Sequence, residues 1–462
     1  MPALGILIAG AALVTSVPFW LPRAIVAVRA WIFTRINGEE GIAIPGKLVD
    51  ASRFKQVYSH AAADGRSRGA ALSDLFWYWL SPGPEVHQEH LEPGARYEEV
   101  ARATRSILSL PTTAAEDLAA RCASRVLDES GSRTMELVRL RDMMMPVWAE
   151  FYHELIFGEP CSRTARELIV GNANDVVNAL KMCSLRHLDR REALTRFLLE
   201  RLEYGRAGDR LPQCLSLKEQ ALYLQGVFFT TAIVQMSEAM AHLLLALAQN
   251  PEVQEKLLAD IEDDRYLDRV IAESLRAYPL FGIAHRITSA EIEVDEETIL
   301  PKGSVLCFNY LDYQREGVPD PDRFDPERWV SLSARAINYI PFGVAANRPC
   351  PAQAVALVTM RTVARETLRR FGLRSTASHT RSIPNRGPCL LVPRGETRSP
   401  LLRGALLVFL RVRDRCEDVS RSFVQLVLGT WMVWDARRLR LCQRYFEPQG
   451  SVCPFHTTKA RR

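Results

Sequence analysis

Apolar residues recur at helical spacing through most of the chain, whereas alternation typical of strands is confined to a short late region. The helical pattern is clear at residues 97–108, 114–127, 134–157, 162–183 and 190–204,. The longest predicted helix covers residues 217–250, begins with charged residues and becomes apolar on nearly all sides. A helix of that kind is expected to run buried through the middle of a domain.

The pattern changes after two further predicted helices, at residues 251–262 and 265–278. Residues 292–310 alternate and are rich in β-branched side chains between turn signals, which predicts a small antiparallel sheet,. A proline-rich meander at 317–329 follows, then a helix at 351–371 and a short hairpin near RGPCLLVPRG. The predicted fold class is therefore mainly α, of the α+β type, with small sheets.

The N-terminus is a candidate membrane anchor. Residues 4–21 contain no charge, and a second apolar stretch at 24–33 is interrupted only by Arg29. About 18 to 20 apolar residues suffice to cross the hydrocarbon core of a bilayer. A signal peptide and a buried core helix remain alternatives, although no basic region precedes the apolar run. Arg23, Arg29 and Arg35 follow the span and would place the bulk of the chain in the cytosol.

Charge and cysteine content narrow the classes of function. The net formal charge is +5, yet residues 401–462 hold 12 Lys/Arg and 5 Asp/Glu, so this tail is the basic part,. It has no zinc knuckle and no aromatic-basic repeat, so we expect no nucleic-acid partner. The ten cysteines form no CxxC pair and no metal-spaced cluster, which argues against a disulfide framework,.

One of these cysteines, Cys350 in NYIPFGVAANRPCPAQ, precedes a proline that is at home at the first position of a helix,. A helix start would lower the pKa of its thiol and favour thiolate. Taken alone, a cysteine near a helix start is more often a packed core thiol.

Two upstream motifs add charged residues to an apolar setting. Glu273 and Arg276 of ESLR lie three apart on a helix that looks substantially buried, although such a pair is usually a surface ion pair,. Arg328 lies in FDPERW among prolines and aromatics, where its guanidinium could reach a buried acid,.

In order, spacing and residue type, ESLR, FDPERW and the phenylalanine-glycine loop ending at Cys350 resemble the cytochrome P-450 family. In that family the cysteine thiolate binds haem iron. The resemblance implies haem b as cofactor and Cys350 as its metal ligand, with Arg348, Arg286 and Phe342 among the haem-binding residues. It implies that Glu273, Arg276 and Arg328 form the buried network that braces the loop.

The long middle helix carries the family's oxygen-activating residues only in part. GVFFTT supplies the small Gly226 and the alcohols Thr230 and Thr231 as implied catalytic residues, but Phe229 stands where the family has an acid. A phenyl ring cannot relay protons. The two threonines could instead hydrogen-bond only within a buried helix. The loop from Phe342 to Cys350 is also one residue longer than usual, and Ala352 replaces a glycine.

The family's early-helix haem contact is not evident, and Arg96, Arg102 and Arg105 are the candidates to replace it. The resemblance implies three segments: an anchor at 1–34, a haem domain at 35–398 with its best match at 215–395, and a basic helical extension at 399–462. The extension could pack back as a helical hairpin, or contact a membrane or partner.

The implied function is a membrane-anchored haem-thiolate monooxygenase that hydroxylates a lipophilic small molecule, similar to fungal enzymes of terpenoid or polyketide secondary metabolism. Electrons would come from NADPH through a separate cytochrome P-450 reductase, with the protein a single-pass component of the endoplasmic reticulum membrane. The departures leave two alternatives: a haem-thiolate peroxygenase or isomerase, and a degenerate accessory protein without catalysis.

Overall fold

The computed structural model describes residues 2–37, 41–129, 134–204, 210–395 and 400–447. Helices account for most of these residues. In chain order they are α1 (Pro2–Asn37), α2 (Phe54–Ser59), α3 (Ala71–Leu80), α4 (Ala95–Leu108), α5 (Thr112–Glu129), α6 (Leu140–Phe157), α7 (Arg163–Leu180), α8 (Leu188–Glu203), α9 (Leu217–Tyr223), α10 (Ile233–Gln249), α11 (Pro251–Ala259), α12 (Asp264–Ala277), α13 (Tyr310–Arg315), α14 (Arg328–Ser331), α15 (Gln353–Arg370), α16 (Pro400–Leu439) and α17 (Leu441–Phe446).

The strands form three small sheets. They are β1 (Ile42–Ile44), β2 (Glu136–Arg139), β3 (Ile283–Ile287), β4 (Ile292–Glu293), β5 (Ile299–Leu300), β6 (Val305–Asn309), β7 (Phe371–Arg374) and β8 (Pro388–Pro393). The sheet orders are β1-β6-β3, β2-β8-β7 and β4-β5. All pairs are antiparallel except β1 with β6, where Ile42 lies opposite Leu306. The mainly helical α+β fold predicted from the sequence is confirmed.

A single continuous helical rod joins α9, a π-helical segment (Leu224–Ala232) and α10. Ser216 opens the rod with a capping box in which its side chain accepts from the backbone N–H of Glu219,. The rod is 78% buried over its most apolar window. It is long and apolar enough to cross a membrane, but its burial identifies it as the core helix of the domain, as predicted.

The predicted helix over residues 134–157 was too long at its start. Residues Glu136–Arg139 instead form β2, which pairs with β8 so that Leu137 lies opposite Leu390. The helix begins only at Leu140. Pairing with a strand some 250 residues later overrode the local helical pattern, as tertiary context often does for a short apolar run,.

The basic extension packs against the domain. Buried Asp414 of α16 accepts hydrogen bonds from the Ser378 backbone N–H at 2.7 Å and from Asn385 Nδ2 at 2.9 Å. Farther along, the backbone N–H of Cys442 in α17 donates to Asp74 Oδ1 at 2.9 Å. Residues 400–447 thus follow the surface of the domain along their length.

Helix α1 pairs with α16 in a parallel arrangement. Arg29 Nη1 donates to Gln425 Oε1 at 3.1 Å, and Arg415 lies 5.0 Å from the ring centroid of Phe19. At Gly429 a Cβ atom would lie only 2.9 Å from the ring of Phe33, so glycine permits the two helices to approach closely,. All three contacts join residues 396 positions apart, which fixes a common direction and register.

We expect Asp414→Ala to detach α16 and to lower the free energy of unfolding by about 2 to 3 kcal/mol, because the buried Asn385 amide and the half-buried Ser378 N–H lose their acceptor,. Urea unfolding followed by far-UV circular dichroism measures the change. The control is Glu167→Ala, which removes only an exposed pair with Arg163 and should cost less than about 1 kcal/mol. Equal, small losses for both variants would contradict docking through Asp414.

Candidate functional site

The loop that ends at Cys350 is closed by its own backbone. The Cys350 N–H donates to the Phe342 carbonyl at 3.0 Å, and the chain turns at Gly343 with φ +80° and again at Arg348 with φ +54°. The left-handed conformation at Arg348 is uncommon for a residue with a side chain. The additional residue between Phe342 and Cys350 is therefore accommodated in a compact hydrogen-bonded loop.

Asn347 pins this loop to the N-terminal part of the domain. Its Nδ2 donates to the carbonyls of Tyr58 and Ala63, both at 2.8 Å, and the side chain is buried. Sequence reasoning did not single out Asn347, because its partners lie more than 280 residues earlier and leave no local signal.

The thiol of Cys350 lies close to α15 but not at its cap. The helix begins at Gln353 with Ala352 as N-cap, so Pro351 and Ala352 form a turn between the cysteine and the helix. Burial raises the pKa of the Cys350 thiol to about 11, and a hydrogen bond from the Ala352 backbone only partly offsets it,. The expected lowering of this pKa by a helix start was therefore wrong for the protein chain alone.

The structure brings Glu273, Arg276 and Arg328 into one buried group. Arg276 grips the Glu273 carboxylate with two hydrogen bonds, Nε to Oε2 at 2.9 Å and Nη2 to Oε1 at 2.8 Å. Arg328 Nε donates to Oε1 at 3.1 Å and Trp329 Nε1 donates to Oε2 at 3.0 Å. A buried carboxylate is tolerated when it is paired and hydrogen-bonded in this way.

The network is connected to the cysteine loop by two contacts. The Trp329 ring meets Tyr339 edge-on, with centroids 4.8 Å apart. Gln314 Oε1 accepts from the Ile340 N–H at 2.9 Å, while its Nε2 donates to the Arg276 carbonyl at 3.2 Å. The ion network and the cysteine loop are therefore joined by a ring contact and by the Gln314 side chain.

Three buried or half-buried arginines near the loop have guanidinium nitrogens without a partner among the described residues. Arg286 uses Nη2 on the Tyr58 hydroxyl at 2.6 Å but leaves Nε unpaired. Arg348 uses Nη1 on the carbonyls of Gln88 and Leu91 but leaves Nη2 unpaired. Arg66, 2% exposed, leaves both Nε and Nη2 unpaired. Unsatisfied buried donors of this kind call for an explanation.

The charges of these arginines also repel one another. Burial first, and then the positive charge of Arg66, lower the pKa of Arg348 to about 10. The ion-pair partner of Arg66 is Glu89, whose carboxylate lies 3.9 Å from Nη1 and is partly exposed. Arg66 and Arg348 are thus two cations withdrawn from solvent, each with an N–H group that lacks a partner among the described residues. Such a site suits an anion such as a pair of carboxylates.

From the sequence, the candidates for an early cationic contact with haem were arginines of α4, and Arg66 was not identified. Arg102 and Arg105 of α4 are exposed, and Arg96 pairs with Glu219 at 2.6 Å. Arg66 lies in a loop before α3, and nothing in its local sequence marks it as buried. Only the fold brings it beside Arg348.

The two threonines of the π-helical segment form hydrogen bonds with different side chains. Thr230 accepts a hydrogen bond from Asn172 Nδ2 of α7 at 2.8 Å. Thr231 shares a hydrogen bond with His87, between Oγ1 and Nε2 at 3.0 Å. Such π segments occur frequently at functional sites. The structure therefore does not bring both alcohols to one point.

Phe229 stacks on Phe157 of α6 with centroids 6.2 Å apart. His87, which sequence reasoning missed, is instead the titratable neighbour of this segment, and a Cβ at Gly226 would meet its ring at 3.4 Å. Burial lowers the pKa of His87 to about 4, so the ring is neutral at pH 7,. Within the described residues no carboxylate hydrogen-bonds to either threonine hydroxyl.

The chain is similar to known proteins. A family model for cytochrome P450 matches residues 184–398. Cyclooctat-9-en-7-ol 5-monooxygenase of Streptomyces melanosporofaciens is 29% identical over 201 residues, 39% of this chain and 42% of that protein. Cytochrome P450 3A13 of Mus musculus is 27% identical over 228 residues, 44% of this chain and 42% of that protein. The chain thus spans about two fifths of the length of these relatives.

Solved structures share the fold over a longer stretch. A six-coordinated cytochrome P450 from Thermus thermophilus superposes with a TM-score of 0.57 at 22% identity, covering 74% of this chain and 90% of that one. A zebra fish cytochrome P450 in complex with abiraterone gives 0.62 at 16% identity, covering 75% and 92%. At these identities the likeness establishes the fold.

We expect Glu273→Ala to lower the free energy of unfolding by about 3 to 5 kcal/mol, because it leaves Arg276 and Arg328 buried without their counter-charge. Denaturant unfolding monitored by tryptophan fluorescence reports the loss. Glu327→Ala is the matched control, since Glu327 pairs with Arg269 at the surface and should contribute less than about 1 kcal/mol. A loss at Glu273 as small as that at Glu327 would show that the network does not brace the fold.

Proposed function

The chain belongs to the cytochrome P450 family, and on that premise we propose that it is a haem-thiolate monooxygenase in which Cys350 binds the haem iron. The observation that carries the proposal is a half-buried thiol on the same loop as Arg348, one of three arginines with unpaired buried N–H groups. A thiolate, rather than a thiol, binds a metal. The chain supplies one metal ligand, the Cys350 thiolate, and the metal would balance the negative charge of that thiolate.

The described residues fit a haem group in two respects. Haem has an iron that would favour the thiolate form of Cys350, and two propionates that would accept from Arg66, Arg286 and Arg348. The burial that raises the pKa of the Cys350 thiol and the repulsion between the arginines are both relieved by a group with a cationic centre and an anionic edge. These residues are the ones we propose to hold it, with Phe342 closing the loop behind the thiol.

When bound, a thiolate-ligated haem supplies the capacity to activate dioxygen. The chain supplies the groups that hold water and protons nearby. Thr230 and Thr231 offer hydroxyls in the π segment, and we propose them as the catalytic alcohols. Because Phe229 offers no acid and Thr231 is hydrogen-bonded to a neutral His87, proton delivery here cannot use the family's usual acid-alcohol pair,.

That departure motivates two alternative functions. A peroxygenase or isomerase would need no relay of protons from an acid beside Thr230. A degenerate accessory protein would retain the fold without turnover. The intact Glu273 network and the unpaired arginine donors favour a haem-binding protein over a degenerate one.

The proposed substrate is a lipophilic small molecule that the enzyme hydroxylates. One relative is named as the 5-monooxygenase of cyclooctat-9-en-7-ol, which supports a terpenoid as substrate class and a place in secondary metabolism. NADPH-cytochrome P450 reductase is the proposed electron donor.

Membrane attachment is also a proposal. The window Ala12–Ile36 of α1 is long and apolar enough to cross a bilayer and is 6% buried. It supports α1 as an anchor. Arg23, Arg29 and Arg35 favour a cytosolic catalytic domain,, and the endoplasmic reticulum is proposed from the family resemblance alone.

We expect the purified protein, supplied with reductase, NADPH and dioxygen, to oxidise members of a terpenoid panel, with products detected by mass spectrometry. Cys350→Ala should abolish product, whereas Cys307→Ala, which alters another half-buried thiol, should not. Product formed with hydrogen peroxide alone would instead support the peroxygenase alternative. Absence of product with either oxidant would contradict an enzymatic function on this panel.

We expect Arg66→Gln to accelerate loss of haem to an excess of apomyoglobin by about 10- to 100-fold, because a charge-assisted hydrogen bond contributes about 1.5 to 3 kcal/mol. The control is Arg105→Gln, the exposed α4 candidate, which should leave the rate unchanged. If Arg105→Gln accelerated loss and Arg66→Gln did not, the cationic contact would belong to α4.

A further inference from the structure

Helix α16 carries an apolar stripe on the side that faces neither the domain nor α1. Its exposed residues are Phe409, Val412, Phe423, Val427, Trp431 and Trp434. They recur at helical spacing, with exposed Cys416 and Ser420 completing the row,. At 1.5 Å per residue the stripe is about 38 Å long.

The other two sides of α16 are already in use. Buried Leu410, Asp414 and Met432 face the domain, and Gln425 and Gly429 face α1. A polar third side would be the ordinary expectation for a helix at the surface of a soluble domain. The stripe is therefore an apolar surface larger than a scatter of single exposed residues.

The chemistry of the stripe and its flanks matches the surface of an anionic bilayer. Trp431 and Trp434 lie side by side with ring centroids 5.0 Å apart, and Arg438 lies 5.9 Å from the Trp434 ring. Tryptophan with arginine is the combination that favours the boundary between acyl chains and headgroups. Together α1, α16 and α17 hold eleven arginines and four acidic residues, so they attract negative headgroups.

Helix α1 also carries exposed apolar residues. Leu13, Val14, Trp20, Val28 and Trp31 of α1 are all between 47% and 69% exposed. They are separate from the stripe, because the stripe lies on the side of α16 that does not face α1.

We propose that the apolar stripe of α16 lies in the interface of an anionic membrane. A second copy of the chain fits less well, because it would have to bury the surplus of arginines beside another such surplus. This inference is independent of haem binding and so of the proposed reaction.

Vesicle flotation of the full chain tests the proposal. With vesicles of phosphatidylcholine and phosphatidylserine we expect Val427→Glu to lower the partition coefficient about tenfold, equivalent to about 1.4 kcal/mol. The matched control is Val330→Glu, which alters a similarly exposed valine, 68% against 64%, outside both helices, and should bind as wild type does. Unchanged binding of Val427→Glu would overturn the proposal, and so would a dimer in sizing columns that this variant dissociates while vesicle binding persists.

A native thiol gives a second readout that does not depend on weakening the surface. Cys416 and Cys214 are the exposed cysteines among the described residues, and Cys416 alone lies in the stripe. In a Cys453→Ser background, an environment-sensitive probe is placed at Cys416 in a Cys214→Ser variant, and at Cys214 in a Cys416→Ser variant. Anionic vesicles should shift the emission of the Cys416 probe to the blue and leave the Cys214 probe unchanged. No shift at Cys416, or equal shifts at both, would overturn the proposal.

Discussion

The carboxylate of Glu273 is the interaction on which the site depends. It lies without solvent contact between the guanidinium groups of Arg276 and Arg328. None of the three charges could remain buried alone, because the desolvation of an unpaired ion costs several kcal/mol. The ion pairs among these three side chains hold α12 against the proline-rich meander that precedes the cysteine loop. The loop then takes its position from Trp329 and Gln314, and the thiol takes its position from the loop.

The site that results is electrostatically incomplete. Burial disfavours the thiolate of Cys350, while Arg66 and Arg348 stand as cations withdrawn from solvent with few counter-charges. A folded chain normally satisfies its buried donors. The two deficits are of opposite kinds and lie near one loop, so a single cofactor with a metal centre and carboxylates at its edge satisfies both. This is the physical reason for proposing that the site holds haem.

Local sequence predicted those parts of the site whose spacing is short. Glu273 and Arg276 share one helix, and Cys350 follows Arg348 by two residues, so their relation could be read directly. Arg66, His87 and Asn347 could not be predicted, since each meets its partners far along the chain. Strand β2 was missed for the same reason, because a distant strand determines it. The extent of the helical rod at residues 217–249 could be predicted from its apolar pattern. The pattern does not reveal that Thr230 and Thr231 of the π-helical segment hydrogen-bond to different side chains.

The central claim is that Cys350 binds haem iron as a thiolate. Its most direct test is the absorption spectrum of the purified protein, reduced and exposed to carbon monoxide, beside that of Cys350→Ala. The account predicts the red-shifted Soret band for which the family is named in the wild-type protein, and its loss in the variant. A wild-type spectrum without that band, or one that Cys350→Ala leaves unchanged, would contradict it.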